Sequence, residues 1–349
     1  MSAASTVRPA LFDLLSQLTV QKETLSPSLN ANLEVLNKTA SLAGIKLFGL
    51  NAFDEAERYL TIGAAGGCVL CQFYMATCHA LQDGIWYNED GTLSSRASEE
   101  TRKWLNLAAA QNYVPALIQL GDTASLEKAK TLVNGFSREE APNGMYYMYL
   151  ITNDISWLEK SAAAGWDLAK FKLAEQYRRK PSLIANEALR LARIEELYQE
   201  SADAGLPLAM YARVFATDST ANLAEKQIRL AHLARDGHLR SMLEYGYALA
   251  NIPNSQDPVQ DQNGHPLPVT NRYGLATDLP VAYAYLQYVH KNLEGPITAP
   301  QLPADLHHIE RRMTPSDKQR VMQIFSSLDS RIFQLFSRVE DLIIPGTAK

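Results

Sequence analysis

One spacing recurs five times along this chain, and it restricts the fold more than any other feature. In WLEKSAAAGWDLAKFKLAEQY, take Trp157 as position zero. The same frame starts again at Tyr59 (YLTIGAAGGCVLCQFYMA), Trp104 (WLNLAAAQNYVPALIQLG), Leu197 (LYQESADAGLPLAMYARV) and Arg229 (RLAHLARDGHLRSMLEYG). Position one holds Leu60, Leu105, Leu158, Tyr198 and Leu230, and position five is always alanine: Ala64, Ala109, Ala162, Ala202, Ala234. Position eight is Gly67, Asn112, Gly165, Gly205 and Gly237, and position twelve is small throughout: Cys71, Ala116, Ala169, Ala209, Ser241. Agreement of this kind within one chain marks a repeat architecture.

Each column has a physical reading. Glycine and asparagine enter positive φ at low cost, so position eight ends one helix and turns the chain into the next. Alanine at five and a small residue at twelve then face each other across the bend, which lets two helix axes approach closely. The large residues at zero and one lie a turn or more back and wedge against the neighbouring unit. Such a hairpin cannot bury its apolar face alone, so the units are expected to stack. The expected fold class is all-α, with few strands, because long alternating stretches are scarce.

The columns resemble the Sel1-like repeat proteins, α/α solenoids related to tetratricopeptide repeats and common in bacteria. The pattern W-L/Y-x-x-A-A-x-x-G-x-x-x-A-x-x-x-L-G is met best by 104–121 and 157–174. A partial sixth unit, DLPVAYAYLQYV at 278–289, looks like the terminal unit of such arrays, and MTPSDKQRVMQIFSSL from Met313 resembles their closing helix. The resemblance covers roughly 51–328 and implies a superhelical solenoid of stacked hairpins. Spacing departs from the family: the zero positions 59, 104, 157, 197 and 229 are unevenly separated, which implies insertions.

Three segments follow from this register. Residues 1–50 read as helices without the columns and suit an N-terminal cap; 51–290 hold the array; 291–349 hold closing helices, including SRIFQLFSRVEDLII from Ser330, expected to pack back as a seal or to detach and bind a partner or membrane. The array is interrupted near 84–98, 122–153 and 251–280. The first interruption carries Trp86, Tyr87 and a turn signal at Asp90-Gly91. The second has the helical period of an extra hairpin, with the tyrosines of MYYMYL reading as core. The third carries Asn263-Gly264 between short β-prone pieces, with His265, Arg272 and Tyr273 nearby and prolines that forbid a helix. A long excursion of this sort is either functional or a tolerated loop.

Cys68, Cys71 and Cys78 are the three cysteines, and C-x-x-C spacing suits zinc or redox chemistry. The register instead places all three on one helix after Gly67. Cys71 and Cys78 are then two turns, about 10 Å, apart, and Cys71 fills a small-residue column, so buried packing is the expectation. The chain also lacks the paired cysteines that pin successive hairpins in the disulfide-rich exported branch of the resembled family.

No nucleophile elbow, zinc-protease helix, phosphate loop or dinucleotide fingerprint is present. GAAGG at 63–67 has no preceding strand and reads as a helix end; His307-His308 beside Glu310 point apart on a helix and read as a solvated face. No catalytic residue, metal site or cofactor is therefore expected. Net charge is −5 and the longest basic run is Arg178-Arg179-Lys180, so a nucleic-acid partner lacks its usual footprint. Neither an export signal nor a membrane span is visible, which suits the cytoplasm if the chain is complete and the periplasm if a signal has been removed.

The expected function is that of a non-enzymatic protein-binding scaffold. In the resembled family, bacterial members serve as adaptors, envelope or signalling regulators and neutralisers of secreted toxins, and a few have been reported as hydrolases. Irregular repeats with insertions suit one dedicated partner, so an immunity protein that sterically blocks a cognate toxin or effector is expected ahead of a general adaptor. The expected partner-binding residues are Trp86, Tyr87, Asp90, Asn263, His265, Arg272 and Tyr273.

Overall fold

The computed structural model describes residues 17, 27–49, 53–82, 97–136, 141–216, 219–252, 273–292 and 301–335. Among the described residues there are sixteen α-helices and no strand. They divide into two compact units. The first comprises α1 (Pro27–Gly49), α2 (Phe53–Ala65), α3 (Val69–Gln82), α4 (Glu99–Ala110), α5 (Val114–Leu120), α6 (Thr123–Asn134), α7 (Ala141–Thr152), α8 (Ile155–Ala163), α9 (Asp167–Arg179) and α10 (Glu187–Asp203). The second comprises α11 (Pro207–Phe215), α12 (Leu223–Arg235), α13 (Leu239–Ala250), α14 (Leu279–Asn292), α15 (Leu302–Arg312) and α16 (Pro315–Leu335).

The bends are built as the columns require. Gly67, Asn112, Gly165, Gly205 and Gly237 all take left-handed φ, from 64° at Asn112 to 92° at Gly165. At every bend the position-eight N–H donates to the position-five carbonyl and the position-nine N–H to the position-four carbonyl. At Gly165 these are the bonds to Ala162 O and from Trp166 N to Ser161 O, both 3.1 Å. This is the Schellman closure of a helix, which satisfies carbonyls that the last turn leaves unpaired. All five position-five alanines are buried, and position twelve is 0 % exposed in all five frames. Position one is equally buried, whereas Tyr59, Trp104 and Trp157 at position zero are only half-buried. The wedge is thus the leucine at one; the aromatic at zero covers its edge.

Within each unit, helices pack mainly on their sequence neighbours, as expected when each hairpin covers the next. Position four, which drew no attention in the sequence, is a point of contact between hairpins. Ser161 Oγ donates to Pro142 O at 2.6 Å, and Ser201 Oγ to Asp167 O at 3.0 Å; both serines are 0 % exposed. In the first frame the residue is Gly63, where an added Cβ would run into Ser41 of α1, 3.2 Å from its Cα. Helix α1 lies against this end of the array. Its Phe48 stacks on Tyr74 of α3 at 4.7 Å and meets Phe53 of α2 edge-on at 5.1 Å.

The interruption at 122–153 is a further hairpin, α6 and α7, with Tyr146 buried and Tyr147 and Tyr149 half-buried. In the second unit the closing helices are tied to the array: Tyr247 Oη donates to Asp305 at 2.9 Å, Arg312 to Ala250 O at 3.3 Å and Arg320 to Asp278 at 3.0 Å. The helical period from Ser330 is continuous with α16 as far as Leu335, and the rest of that segment lies outside the described residues.

The cysteine expectation needs correction. Cys68 lies one residue before α3, and it is disulfide-bonded to Cys71, with Cα atoms 5.2 Å apart. The left-handed Gly67 sets Cys68 outside the helix, where its side chain folds back over the first turn. Cys68 is thus within bonding reach of Cys71, as Cys78 is not. Cys78 remains a free buried thiol, pushed up in pKa chiefly by burial.

Candidate interaction surface

With the columns spent on packing, partners are left the helix faces that the columns do not occupy. In the first unit the richest is α9. One side of it buries Leu168, Phe171, Leu173, Ala174 and Tyr177. Lys172, Glu175 and Arg179 follow at i, i+3 and i+7 and share another side. Tyr198 of α10 donates its hydroxyl to Glu175, and the Arg178 guanidinium lies 5.5 Å from the Tyr198 ring. Tyr177 donates to Glu159 at 3.1 Å, and burial together with that carboxylate pushes the phenol up to about 12. Burial pushes the half-buried Lys172 ammonium down to about 8, with Glu175 opposing and Arg179 assisting the shift. Lys170, by contrast, is held by Glu200 at 3.1 Å and Asp167 at 3.5 Å. Beyond Arg178 and Arg179, the start of α10 exposes Leu189 and Leu191, and the preceding turn exposes Leu183.

The second unit has its own polar and aromatic cluster. Arg240 Nη1 donates to Tyr211 Oη at 2.6 Å, and its guanidinium lies 4.7 Å from the Phe215 ring. His238, at position nine, caps α13: its Nδ1 accepts from Ser241 N at 3.3 Å. Burial, aided by Arg240, pushes this imidazole down to about 4, so it is neutral near pH 7. Deeper in, Glu225 receives Arg213 through both oxygens at 2.8 Å and Arg229 at 2.8 Å. The hydrogen bond from Arg213 leads in holding its carboxyl below the usual range. Both arginines are buried and Glu225 is half-buried, so the trio ties the unit together.

Trp86, Tyr87, Asp90, Asn263, His265 and Arg272 lie outside the described residues. Tyr273 is described, and its ring is 4 % exposed, with its carbonyl accepting from Gln227 of α12 at 2.5 Å. It packs rather than facing a partner. Among the described residues no group of His, Cys, Asp or Glu is arranged to hold a metal, His307 and His308 are exposed, and no helix is long and apolar enough to cross a membrane. The α9 face lies in a regular frame, away from the interruptions that carry the expected contact residues. Its signal was available in the i, i+3, i+7 charges of an otherwise regular frame.

Neither a protein-family model nor a curated protein matches the chain. Solved structures do. One is a protective antigen present in uropathogenic Escherichia coli strains displaying an SLR fold. It is 16 % identical at a TM-score of 0.39, with 84 % of this chain and 60 % of that one covered. Another is a Sel1 repeat protein from Oxalobacter formigenes, 19 % identical at a TM-score of 0.31, with 88 % and 93 % covered. The chain therefore spans about three fifths of the first. Its own repeat rests on the buried columns and left-handed bends described above.

Proposed function

We propose that this chain is a protein-binding scaffold, and more narrowly an immunity-type protein that occludes a single cognate toxin or effector. What supports the reading is the division of labour within each hairpin. Small columns are consumed by helix packing, while the end of α9, the turn after it and the start of α10 keep Arg178, Arg179, Leu183, Leu189 and Leu191 exposed on one unit. Aromatic and arginine side chains beside apolar ones are the usual anchors of protein interfaces. Trp86, Tyr87 and Asp90 in the first unit, and separately Asn263, His265 and Arg272 in the second, are proposed as further contact residues. Blocking is steric and needs no chemistry from this chain.

The test is affinity for an effector encoded by a neighbouring gene and co-purified with the full chain. Arg178→Ala and Trp86→Ala should each weaken binding roughly tenfold or more, and shortening 255–275 should do the same. Unchanged affinity in all three retires the surface. Recovery of many weak partners, with no dominant one, replaces the single-target reading with that of a general adaptor.

A further inference from the structure

We propose that Cys68 and Cys71 form a thiol–disulfide exchange site, taking cysteine thiols or disulfides of small molecules or proteins as co-reactants. The argument starts from the repeat. Position nine is Tyr113, Trp166, Leu206 and His238 in the other frames and cysteine only here. In two frames this side chain folds back onto position twelve. In the last hairpin that geometry yields a hydrogen bond, with His238 Nδ1 2.9 Å from Ser241 Oγ. In the first frame the contact is a covalent bond from Cys68 Sγ to Cys71 Sγ, the atom that stands in the place of Ser241 Oγ. Gly67 at φ +88° and Gly237 at φ +85° make the same bend around a bonded and a non-bonded pair, so this kind of bend does not require the bond.

The two sulfurs are placed unequally. Cys68 is partly exposed beside exposed Gly66 and Gly67, while Cys71 is 0 % exposed against Gly63. The Cys71 N–H donates to Cys68 Sγ at 3.1 Å, so an amide of the first turn of α3 already faces the sulfur that is the thiolate nucleophile when the reduced pair attacks a disulfide. A spacing of three residues closes so small a loop that the bond adds little as a staple. Cys78 is buried two turns away and takes no part.

In the exchange an external thiolate attacks Cys68 Sγ. The Cys68–Cys71 bond breaks, Cys71 leaves as a thiolate and takes a proton from solvent, and a mixed disulfide forms on Cys68. A second thiolate attacks the outer sulfur of that adduct and releases Cys68. The pair gains two electrons and two protons, and two external thiols become one disulfide. Run backwards, the Cys68 thiolate attacks a substrate disulfide and Cys71 resolves the adduct. The site does not depend on the scaffold reading and stands or falls separately.

The test uses the full chain in reduced and oxidised glutathione, with free thiols trapped by alkylation and located by mass spectrometry. The pair should titrate reversibly as a two-electron couple while the helical circular dichroism stays unchanged. In Cys71→Ser, which restores the serine found at Ser241, oxidised glutathione should modify Cys68 at least ~10-fold faster than Cys78. Cys71→Ala, matching Ala116 and Ala169, serves if the serine variant misfolds, and the wild-type titration needs neither. A bond that resists reduced glutathione in the folded chain, helices that melt when it is reduced, or no adduct on Cys68 would each overturn the proposal.

Discussion

At the scale of single residues, the bend depends on backbone freedom and not on space. An added Cβ at Gly165 would meet nothing within 4 Å, yet the residue sits at φ +92°. Gly165→Ala should therefore destabilise the first unit by about 1–2 kcal/mol, the cost of an L-residue in left-handed backbone. Asn112 holds the same place at φ 64°, and Asn112→Gly should cost nothing or stabilise slightly; denaturant unfolding of the two variants checks the pair. This column was legible in the sequence because only glycine and asparagine serve there. Position four was not. Ser161 and Ser201 look like ordinary surface serines until a neighbouring hairpin supplies the Pro142 and Asp167 carbonyls. The Cys68–Cys71 bond stayed hidden for a related reason: a helical register places side chains along a rod but says nothing of a residue folded back from just outside it.

Helices themselves read well wherever a cap and a column coincide. Asp122, Asp154, Asn186 and Asn222 each accept the N–H that a cap should accept, and their helices start where the periodicity does. His238 is the exception, a cap whose free side chain titrates near neutral pH. Its folded pKa near 4 lies below the 6.5 of the free side chain. The unfolded chain thus binds the extra proton first as pH falls. The stability this residue gives α13 is complete above about pH 6.5 and is lost on descent towards pH 4, at most about 3 kcal/mol. His238→Asn keeps a capping acceptor and removes the titration. The dependence of unfolding free energy on pH between 4 and 6.5 should flatten by about one proton in the variant; equal slopes would place the neutral imidazole elsewhere. The α9 face was less legible, because the partnership of Glu175 with Tyr198 joins two helices that the sequence lists separately.

At the scale of the whole molecule, the central claim is that small residues and left-handed turns recur so that hairpins can pack on their sequence neighbours. Stability in such an array is a sum over units and the contacts between adjacent ones, so damage should stay local. Ala169 is 0 % exposed at the centre of its bend, and a leucine there overpacks the α8–α9 hairpin by about 1–3 kcal/mol. The most direct measurement is amide hydrogen exchange across the chain in Ala169→Leu. Faster exchange in α8 and α9, falling off through α7 and α10 and absent from α12–α16, is the outcome this account predicts. Exchange that rises evenly along the whole chain, or does not rise at all, would contradict it.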